Sequence, residues 1–331
     1  MNCSFGDPMG GGGDARILTA ADFSDSLNAT TITMSGQAVI RCNALASVRL
    51  AIGAGCWRVN GILFCNDYGT VETSFPIYLD GTYWTSWTPA GNYPKPFTLA
   101  MDRAAHTLEI VSSWQQYGIQ GAFLYALSSV GGSMTVLPNP TVSRRLAVYG
   151  DSIANGALAD LTARHGWIGL LRAGLYSGRV SAEVWGGRTL NENGSPYTTL
   201  AARLVGLTFG AARREIWDAM GYNDFYSAPW NATDFGAGCG ALYDAIHALD
   251  PAVKIFAQTP IITGNEAATN AFGNTIVDYR AAKASAAASR SSFVTVVDGT
   301  TLLSAGQLSG GVHPATAGHA SYASAVAAIL G

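Results

Sequence analysis

The sequence predicts an α/β protein, a doubly wound parallel sheet preceded by a smaller all-β sandwich or jelly-roll domain. Two observations carry this prediction. From about residue 145 to the end, apolar strand-like segments alternate with helical segments, which is typical of a parallel sheet with helices on both faces. From about 16 to 136, short strand-like segments are separated by turn signals, with no long amphipathic helix between them.

The composition is that of a globular protein. The chain has 331 residues, enough for two domains, and 48% of them are hydrophobic while only 12% are charged. A net charge of −3 gives no reason to expect nucleic-acid binding. No apolar run has the length of a transmembrane helix, and no signal peptide is visible at the N-terminus. Low charge with much Gly, Ser and Thr favours a secreted or extracytoplasmic protein.

Glycine and proline suggest the domain boundaries. Residues 1–15 contain four consecutive glycines, and we expect a flexible lead-in there. We assign 16–136 to the β domain, 137–144 to a linker that contains Pro138-Asn139-Pro140, and 145–331 to the α/β domain.

Two short turns stand out in the β domain. Asn60-Gly61 and Asp80-Gly81, each between strand-like residues, predict two-residue hairpins. Further strands are expected at Val48–Ile52, Thr107–Val111 and Ala122–Leu127. The five cysteines, at positions 3, 42, 56, 65 and 239, fit no zinc pattern and leave open one disulfide among positions 42, 56 and 65 or free thiols.

The second domain has five predicted strands separated by helices. The strands are Leu146–Tyr149, Val180–Trp185, Glu215–Met220, Lys254–Gln258 and Phe293–Val297. The expected helices are His165–Tyr176, Gly238–Leu249, Glu266–Arg290 and Thr316–Leu330. Open sheets of this kind build their sites at the carboxyl ends of the strands.

The end of the first of these strands holds a candidate nucleophile. The apolar run Leu146–Tyr149 stops before Gly150-Asp151-Ser152, so the Ser152 hydroxyl is expected at the carboxyl end of the sheet. Backbone amides at the start of the following helix favour negative charge there, which suits a nucleophile whose transition state carries an oxyanion. The alternative is an ordinary turn in which serine caps the helix.

Three further segments follow predicted strands or close the chain. Gly186-Gly187 follows the second strand, and Gly221-Tyr222-Asn223-Asp224 follows the third. Near the end, His313 lies in a Gly/Pro loop, where backbone geometry can hold a general base in place. His319 falls inside the last predicted helix, and we interpret it as a structural or surface residue.

In these segments the sequence resembles the SGNH or GDSL hydrolases. Their four blocks match Gly150–Ser152, Gly187, Gly221–Asp224 and Val312–Pro314, in the order of the family. The resemblance covers roughly residues 144–331 and implies a flavodoxin-like parallel sheet. The small β domain in front resembles the layout of family two carbohydrate esterases. One departure is that the family's acid, three residues before the histidine, is replaced by Gly310.

The resemblance implies a role for each matched residue. Ser152 would be the nucleophile and His313 the general base. The oxyanion hole would consist of the Ser152 amide, the Gly187 amide and the Asn223 side chain. Gly186 is the alternative to Gly187 as the second backbone donor, because either of two adjacent glycines can be aligned with the glycine of the family. No metal and no cofactor are implied, and the sequence has no cluster of metal ligands.

The missing acid leaves three alternatives. A backbone carbonyl near Ser309 or Gly310 could orient His313 within a Ser–His dyad, which we rank first. Asp298, at the end of the fifth strand, is the second candidate for that task. The third alternative is a degenerate site that only binds.

The resemblance favours a short acyl group, acetyl above all, on a carbohydrate. The residues that we single out as substrate contacts are Trp185, Gly186, Tyr222 and Trp230, although aromatic side chains more often fill cores. Two rivals remain: a lipase or thioesterase of the same fold, and a non-catalytic carbohydrate-binding protein. The sequence does not decide the oligomeric state.

Overall fold

The computed structural model describes most of the chain. The described residues are 15–17, 30–34, 37–41, 47–65, 75–87, 95–111, 115–116, 120–138, 142–160, 162–176, 180–184, 186–190 and 197–331.

The elements are numbered in chain order. The strands are β1 (Ala15–Ile17), β2 (Thr30–Met34), β3 (Gln37–Arg41), β4 (Ser47–Ile52), β5 (Arg58–Cys65), β6 (Phe75–Leu79), β7 (Thr82–Trp87), β8 (Lys95–Ala100), β9 (His106–Val111), β10 (Gln115–Gln116), β11 (Gln120–Val130), β12 (Met134–Val136), β13 (Arg144–Gly150), β14 (Val180–Val184), β15 (Arg213–Asp218), β16 (Lys254–Gln258), β17 (Val294–Val297), β18 (Leu308–Ser309) and β19 (His313–Pro314). The helices are α1 (Ser152–Asn155), α2 (Thr162–His165), α3 (Trp167–Ala173), α4 (Tyr197–Thr208), α5 (Tyr222–Tyr226), α6 (Ala232–Leu249), α7 (Ile276–Ala288) and α8 (Thr316–Leu330).

The predicted α/β fold with a parallel sheet is confirmed. Strands β13 to β17 form one sheet in the order β14-β13-β15-β16-β17, and every neighbouring pair is parallel. The central strands are buried on both faces, as the apolar runs in the sequence require. The chain order reverses at β13, so the carboxyl ends of β13 and β15 flank the point where such sheets bind ligands.

The N-terminal strands form two larger antiparallel sheets and a hairpin. One sheet has the order β1-β11-β5-β8 with β10 beside β11, the other has the order β12-β4-β9-β6-β7, and β2 pairs with β3. Side chains from both sheets enter one buried cluster, which includes Leu50, Val59, Phe97 and Leu108. Such a cluster is what two stacked sheets would bury, while the jelly-roll arrangement stays a prediction. Cys56 lies in this cluster as a free thiol.

The hairpin predicted at Asn60-Gly61 is wrong. Strand β5 continues through both residues and pairs with β11 on one side and β8 on the other. The glycine is required by packing, because a Cβ atom on Gly61 would lie 2.1 Å from Cε1 of Phe97. The hairpin at Asp80-Gly81 is confirmed: it joins β6 to β7 with positive φ at both turn residues, 50° and 79°.

The predicted helix Glu266–Arg290 is too long at its start. Helix α7 begins at Ile276, where the Thr275 and Asp278 side chains form a capping box. The preceding segment is a loop in which Glu266 forms an ion pair with Arg280 of α7, 2.5 Å away. The alanine content of the sequence therefore predicted the helix correctly but did not predict where it begins. Helix α4 was not predicted.

An ion pair and a cation–π contact join the parallel-sheet part to the antiparallel strands. Arg172 of α3 lies 2.6 Å from Glu109 of β9. The Arg164 guanidinium lies 3.5 Å from the ring centroid of Tyr83, in β7. The two arginines lie in α2 and α3, two helices that come between β13 and β14 in the chain.

A buried carboxylate anchors β15 beneath the site. Glu215 is fully buried and accepts hydrogen bonds from Arg144 of β13, from Arg213 and from the Tyr176 hydroxyl. Arg144 and Arg213 also donate to the carbonyl of Leu330, at the end of α8. One carboxylate thus ties two central strands to the last helix.

We expect Glu215→Ala to lower the free energy of unfolding by about 3–5 kcal/mol, because two arginines would lose their buried counter-ion. Asp244→Ala is the matched control, since Asp244 pairs with Arg290 at the surface, where a lost pair costs about 1 kcal/mol or less. Urea unfolding of both variants measures the difference, and equal losses would contradict the assignment.

Candidate active site

Ser152 is located at the turn between β13 and α1. It is half-buried and follows Asp151, the N-cap residue of α1. The turn is tight, because a Cβ atom on Gly150 would lie 2.3 Å from the Cβ of Ala154. Glycine at 150 therefore lets the helix start directly above the strand, and this places the Ser152 hydroxyl at the edge of the sheet.

His313 reaches the same edge from a hairpin near the end of the chain. It lies in β19 and pairs with Ser309 of β18, and the turn between them has Gly310 and Gly311 at φ values of 61° and 76°. Its Nε2 atom is 2.8 Å from Ser152 Oγ. The structure therefore brings the predicted nucleophile and general base into hydrogen-bonding contact.

The His313 ring is arranged as a neutral acceptor. Burial lowers its pKa below the usual 6.5, so the ring is uncharged at pH 7. A neutral ring that carries its proton on Nδ1 accepts the Ser152 hydroxyl proton at Nε2. This is the arrangement that a general base needs before reaction.

No residue that the structure describes takes the place of the missing acid. Gly310 has open space where a side chain would begin. The carboxylate of Asp298 accepts from Thr300 N and Oγ1, and it caps the short turn after β17. The backbone acceptor expected near Ser309 or Gly310 is not found either, since Ser152 is the one hydrogen-bond partner of the His313 ring within the described ranges.

Asn223 approaches Ser152 from the neighbouring strand. It lies in α5, just after β15, and is almost fully buried. Gly221 before it has φ 135°, and a Cβ atom there would lie 2.8 Å from Cγ of Pro260. The Asn223 side chain donates from Nδ2 to Oδ2 of Asp151, 3.2 Å away. The predicted oxyanion-hole carboxamide is thus attached to the turn that carries Ser152.

A lysine that sequence reasoning missed supports this loop. Lys283 of α7 is fully buried, and its Nζ donates to the carbonyls of Asp218 and Met220 and lies 2.9 Å from Asp218 Oδ2. The Tyr243 hydroxyl donates to the same carboxylate. These contacts fix the carboxyl end of β15 immediately before the asparagine. The sequence signal was one lysine in an otherwise Ala-rich helix, and it gave no hint of burial.

Two buried aspartates lie beneath the site. Burial raises the pKa of Asp151 to about 6 and that of Asp224 to about 7. Asp224 accepts at Oδ1 from the backbone N–H of Leu190 and from Nε1 of Trp230. It therefore joins the segment after β14 to the segment after α5. This bond uses the indole N–H of Trp230 to hold the two segments together.

The two glycines after β14 lie at the same edge. A Cβ atom on Gly186 would lie 3.9 Å from the Cβ of Ser152, so Gly186 is next to the serine. Gly187 is exposed, with φ 74°. Trp185, predicted as a substrate contact, lies outside the described residues.

Tyr222 forms part of an aromatic pair beside Asn223. Its ring stacks on that of Tyr226 with centroids 6.0 Å apart, and Tyr226 is 68% exposed. The Tyr222 hydroxyl accepts from Nδ2 of Asn265. Tyr222 itself is mostly buried, so the accessible aromatic face belongs to Tyr226, which we did not single out from the sequence.

The remaining histidines have structural contacts. His319 is fully buried in α8, with Nε2 3.1 Å from the carbonyl oxygen of Ala157. Burial lowers its pKa to about 4. His106, in the β region, lies between Asp80 and Asp102 at 2.7 and 2.8 Å. Among the described residues, no group of three or more His, Cys, Asp or Glu side chains could hold a metal ion.

We expect an NMR titration of the ring resonances to separate three histidines. His313 should titrate below pH 6.5 and His319 near pH 4, since burial disfavours their charged forms. His106 should titrate above 6.5, because its two carboxylate partners favour the charged form. Single His→Gln variants assign the signals, and a pKa above 6.5 for His313 would contradict a ring that partial burial keeps neutral.

Comparison with known proteins adds information on the fold. No protein-family model matches the sequence, and a comparison with curated proteins gives no match. None of the helices in the described part of the chain is long and apolar enough to cross a membrane.

Solved structures do match over nearly the whole chain. The salicylyl-acyltransferase SsfX3 from a tetracycline biosynthetic pathway matches with TM-score 0.71 and 13% identity, over 96% of this chain and 97% of that chain. A family two carbohydrate esterase from Cellvibrio japonicus matches with TM-score 0.62 and 18% identity, over 96% and 98%. An acetyl xylan esterase, Est2A, from Butyrivibrio proteoclasticus matches with TM-score 0.62 and 12% identity, over 96% and 97%. At these identities the likeness concerns the fold. For the fold, it confirms the predicted resemblance to family two carbohydrate esterases.

Proposed function

We propose that the protein is a serine esterase that hydrolyses short-chain esters, above all acetyl esters of carbohydrates, through a Ser152–His313 dyad. The observation that carries this proposal is the 2.8 Å contact between Ser152 Oγ and His313 Nε2 at the carboxyl edge of the parallel sheet. A half-buried neutral imidazole against a serine hydroxyl is the arrangement of an activated nucleophile.

In the first half of the reaction, His313 Nε2 takes the hydroxyl proton while Ser152 Oγ attacks the ester carbonyl. The tetrahedral oxyanion would accept hydrogen bonds from the Ser152 amide, the Gly187 amide and the second Nδ2 hydrogen of Asn223. Gly186 is the competing backbone donor, supported by its position next to the serine. His313 then gives the proton to the leaving alcohol, and an acyl-serine remains.

In the second half, water attacks the acyl-serine and His313 takes the proton from that water. The tetrahedral intermediate collapses, Ser152 Oγ regains the proton, and the carboxylic acid leaves. No metal, cofactor or redox step is needed for these proton and acyl transfers.

The dyad works without a carboxylate behind the histidine. The β18–β19 hairpin holds the His313 backbone, and Ser152 holds one ring nitrogen. Because Nδ1 has no anionic partner, the protonated ring is less stabilised than in a full triad, and the proton returns readily to the leaving group. The Asp298 carboxylate accepts a hydrogen bond from the backbone N–H of Thr300 in the turn after β17, and we assign it no part in the reaction.

The carbohydrate acetyl ester is proposed from the fold likeness together with the site. The carbohydrate esterase and the acetyl xylan esterase share the fold of this chain. Tyr226 offers an exposed ring beside the asparagine, and sugar rings can pack on such a face. The division into a β-sandwich domain at 16–136 and a hydrolase domain at 145–331 remains part of the proposal, as does an extracytoplasmic location.

We expect the protein to cleave p-nitrophenyl acetate faster than the butyrate and octanoate, and Ser152→Ala to lose at least about a thousandfold in kcat. Asn223→Ala should lose about a hundredfold to a thousandfold, as for the loss of an oxyanion donor. Asp298→Asn is the matched control and should stay within about twofold, because it removes a carboxylate that does not contact the histidine.

Other outcomes discriminate the rival functions. A rate that increases with acyl length indicates a lipase or thioesterase of the same fold. No serine-dependent turnover of any ester would contradict the esterase and leave a carbohydrate-binding protein. A large loss in a folded Asp298→Asn variant would contradict the dyad and restore the aspartate as the orienting group.

A further inference from the structure

The carboxylate of Asp151 joins the two halves of the candidate site. It is 0% exposed, and its two oxygens have different partners. Oδ1 accepts from the backbone N–H of Ile153 at 2.9 Å, and Oδ2 accepts from Nδ2 of Asn223 at 3.2 Å. One contact lies within the turn of Ser152, and the other crosses from β13 to the loop after β15.

The second contact decides which way the Asn223 carboxamide faces. A carboxamide has a donor end and an acceptor end of nearly the same shape, and the surrounding hydrogen bonds select between the two orientations. An ionised carboxylate can only accept, so it holds the NH2 end and excludes the oxygen end. In the described part of the chain, Asp151 is the one hydrogen-bond partner of this side chain.

The consequence concerns the second hydrogen on Nδ2. One hydrogen is used by Asp151, and the other is left for an acceptor on the Ser152 side. If the carboxamide turned over, its oxygen would face a developing oxyanion and would destabilise it. A donor fixed before the reaction needs no reorganisation during it, which is the source of its effect on the rate.

We propose that Asp151 is a positioning residue that fixes the donor end of the Asn223 side chain toward the oxyanion. It acts through the asparagine and does not touch the substrate. Because Asp151 is the neighbour of Ser152 in the chain, one short turn sets both the nucleophile and the orientation of a donor supplied by the next strand.

This inference rests on the proposed esterase function, and a double-mutant cycle tests it. The proteins are the wild type, Asp151→Asn, Asn223→Ala and Asp151→Asn/Asn223→Ala, with Ser152→Ala as the reference for the function itself. Asparagine at 151 keeps the shape but offers one accepting oxygen, and its NH2 can bind the oxygen of Asn223 and turn that side chain over.

We expect Asp151→Asn to lower kcat for p-nitrophenyl acetate about a hundredfold to a thousandfold, with KM changed less than about threefold. The double variant should be within about threefold of Asn223→Ala, since Asp151 has nothing to orient once the carboxamide is gone. If the two losses multiply, Asp151 acts through its charge or through the fold, and the proposal is overturned.

Asp151→Ser separates positioning from helix capping. Serine is a good N-cap residue, so it can accept from the Ile153 amide, but its side chain is too short to hold the asparagine as well. We expect a melting temperature close to wild type and a loss in kcat like that of Asp151→Asn. A Ser variant with full activity would overturn the proposal, and this arm stands even if Asp151→Asn fails to fold.

The two failures can be told apart. If Ser152→Ala retains the activity, the proposed function is wrong, and the role of Asp151 that rests on it is wrong as well. If Ser152→Ala is inactive and the cycle is multiplicative, the esterase stands and the role of Asp151 is wrong.

Discussion

The site depends on the parallel pairing of β13 with β15. The pairing puts Gly150 and Asp218 at the same edge of the sheet, and the turns that follow them carry Ser152 and Asn223. Because the chain order reverses at β13, no connecting helix covers this edge between the two turns. The serine and the asparagine are therefore neighbours although a whole βα unit separates them in sequence.

Buried polar groups hold these turns in one arrangement. Glu215 fixes the strands from below, Lys283 holds the end of β15, and Asp151 links the two turns. Asp224 extends the network to the segment after β14 through Leu190. Each such group is costly to leave unpaired in a low-dielectric interior, so the network favours a single conformation over partly bonded alternatives. Such a fixed arrangement is what the proposed esterase mechanism requires.

The histidine is held differently from the serine and the asparagine. His313 comes from the β18–β19 hairpin, whose three-residue loop contains two glycines at positive φ, and its ring nitrogen Nδ1 has no acidic partner among the described residues. In the described part of the chain, the β18–β19 pairing holds the His313 backbone and Ser152 holds one nitrogen of its ring. Burial keeps the ring neutral, which retains its capacity to accept a proton without a compensating charge nearby.

The sequence by itself predicted the α/β fold and singled out Ser152 and His313, which the structure places in contact, because those signals are local. Apolar runs alternating with helical segments predict a parallel sheet, and Gly150-Asp151-Ser152 directly after such a run predicts a turn at the end of the strand. The Asp80-Gly81 hairpin was correct for the same reason, since positive φ at both residues is a local preference. The tertiary structure decided what depends on distant partners. Gly61 lies within a strand because the ring of Phe97 needs the space, and the segment before α7 is a loop in which Glu266 pairs with Arg280. The start of α7 at the Thr275–Asp278 capping box is a local signal that our prediction missed. The burial of Lys283 and the bond from Asn223 to Asp151 have no sequence signature, because both arise only when separate elements pack together.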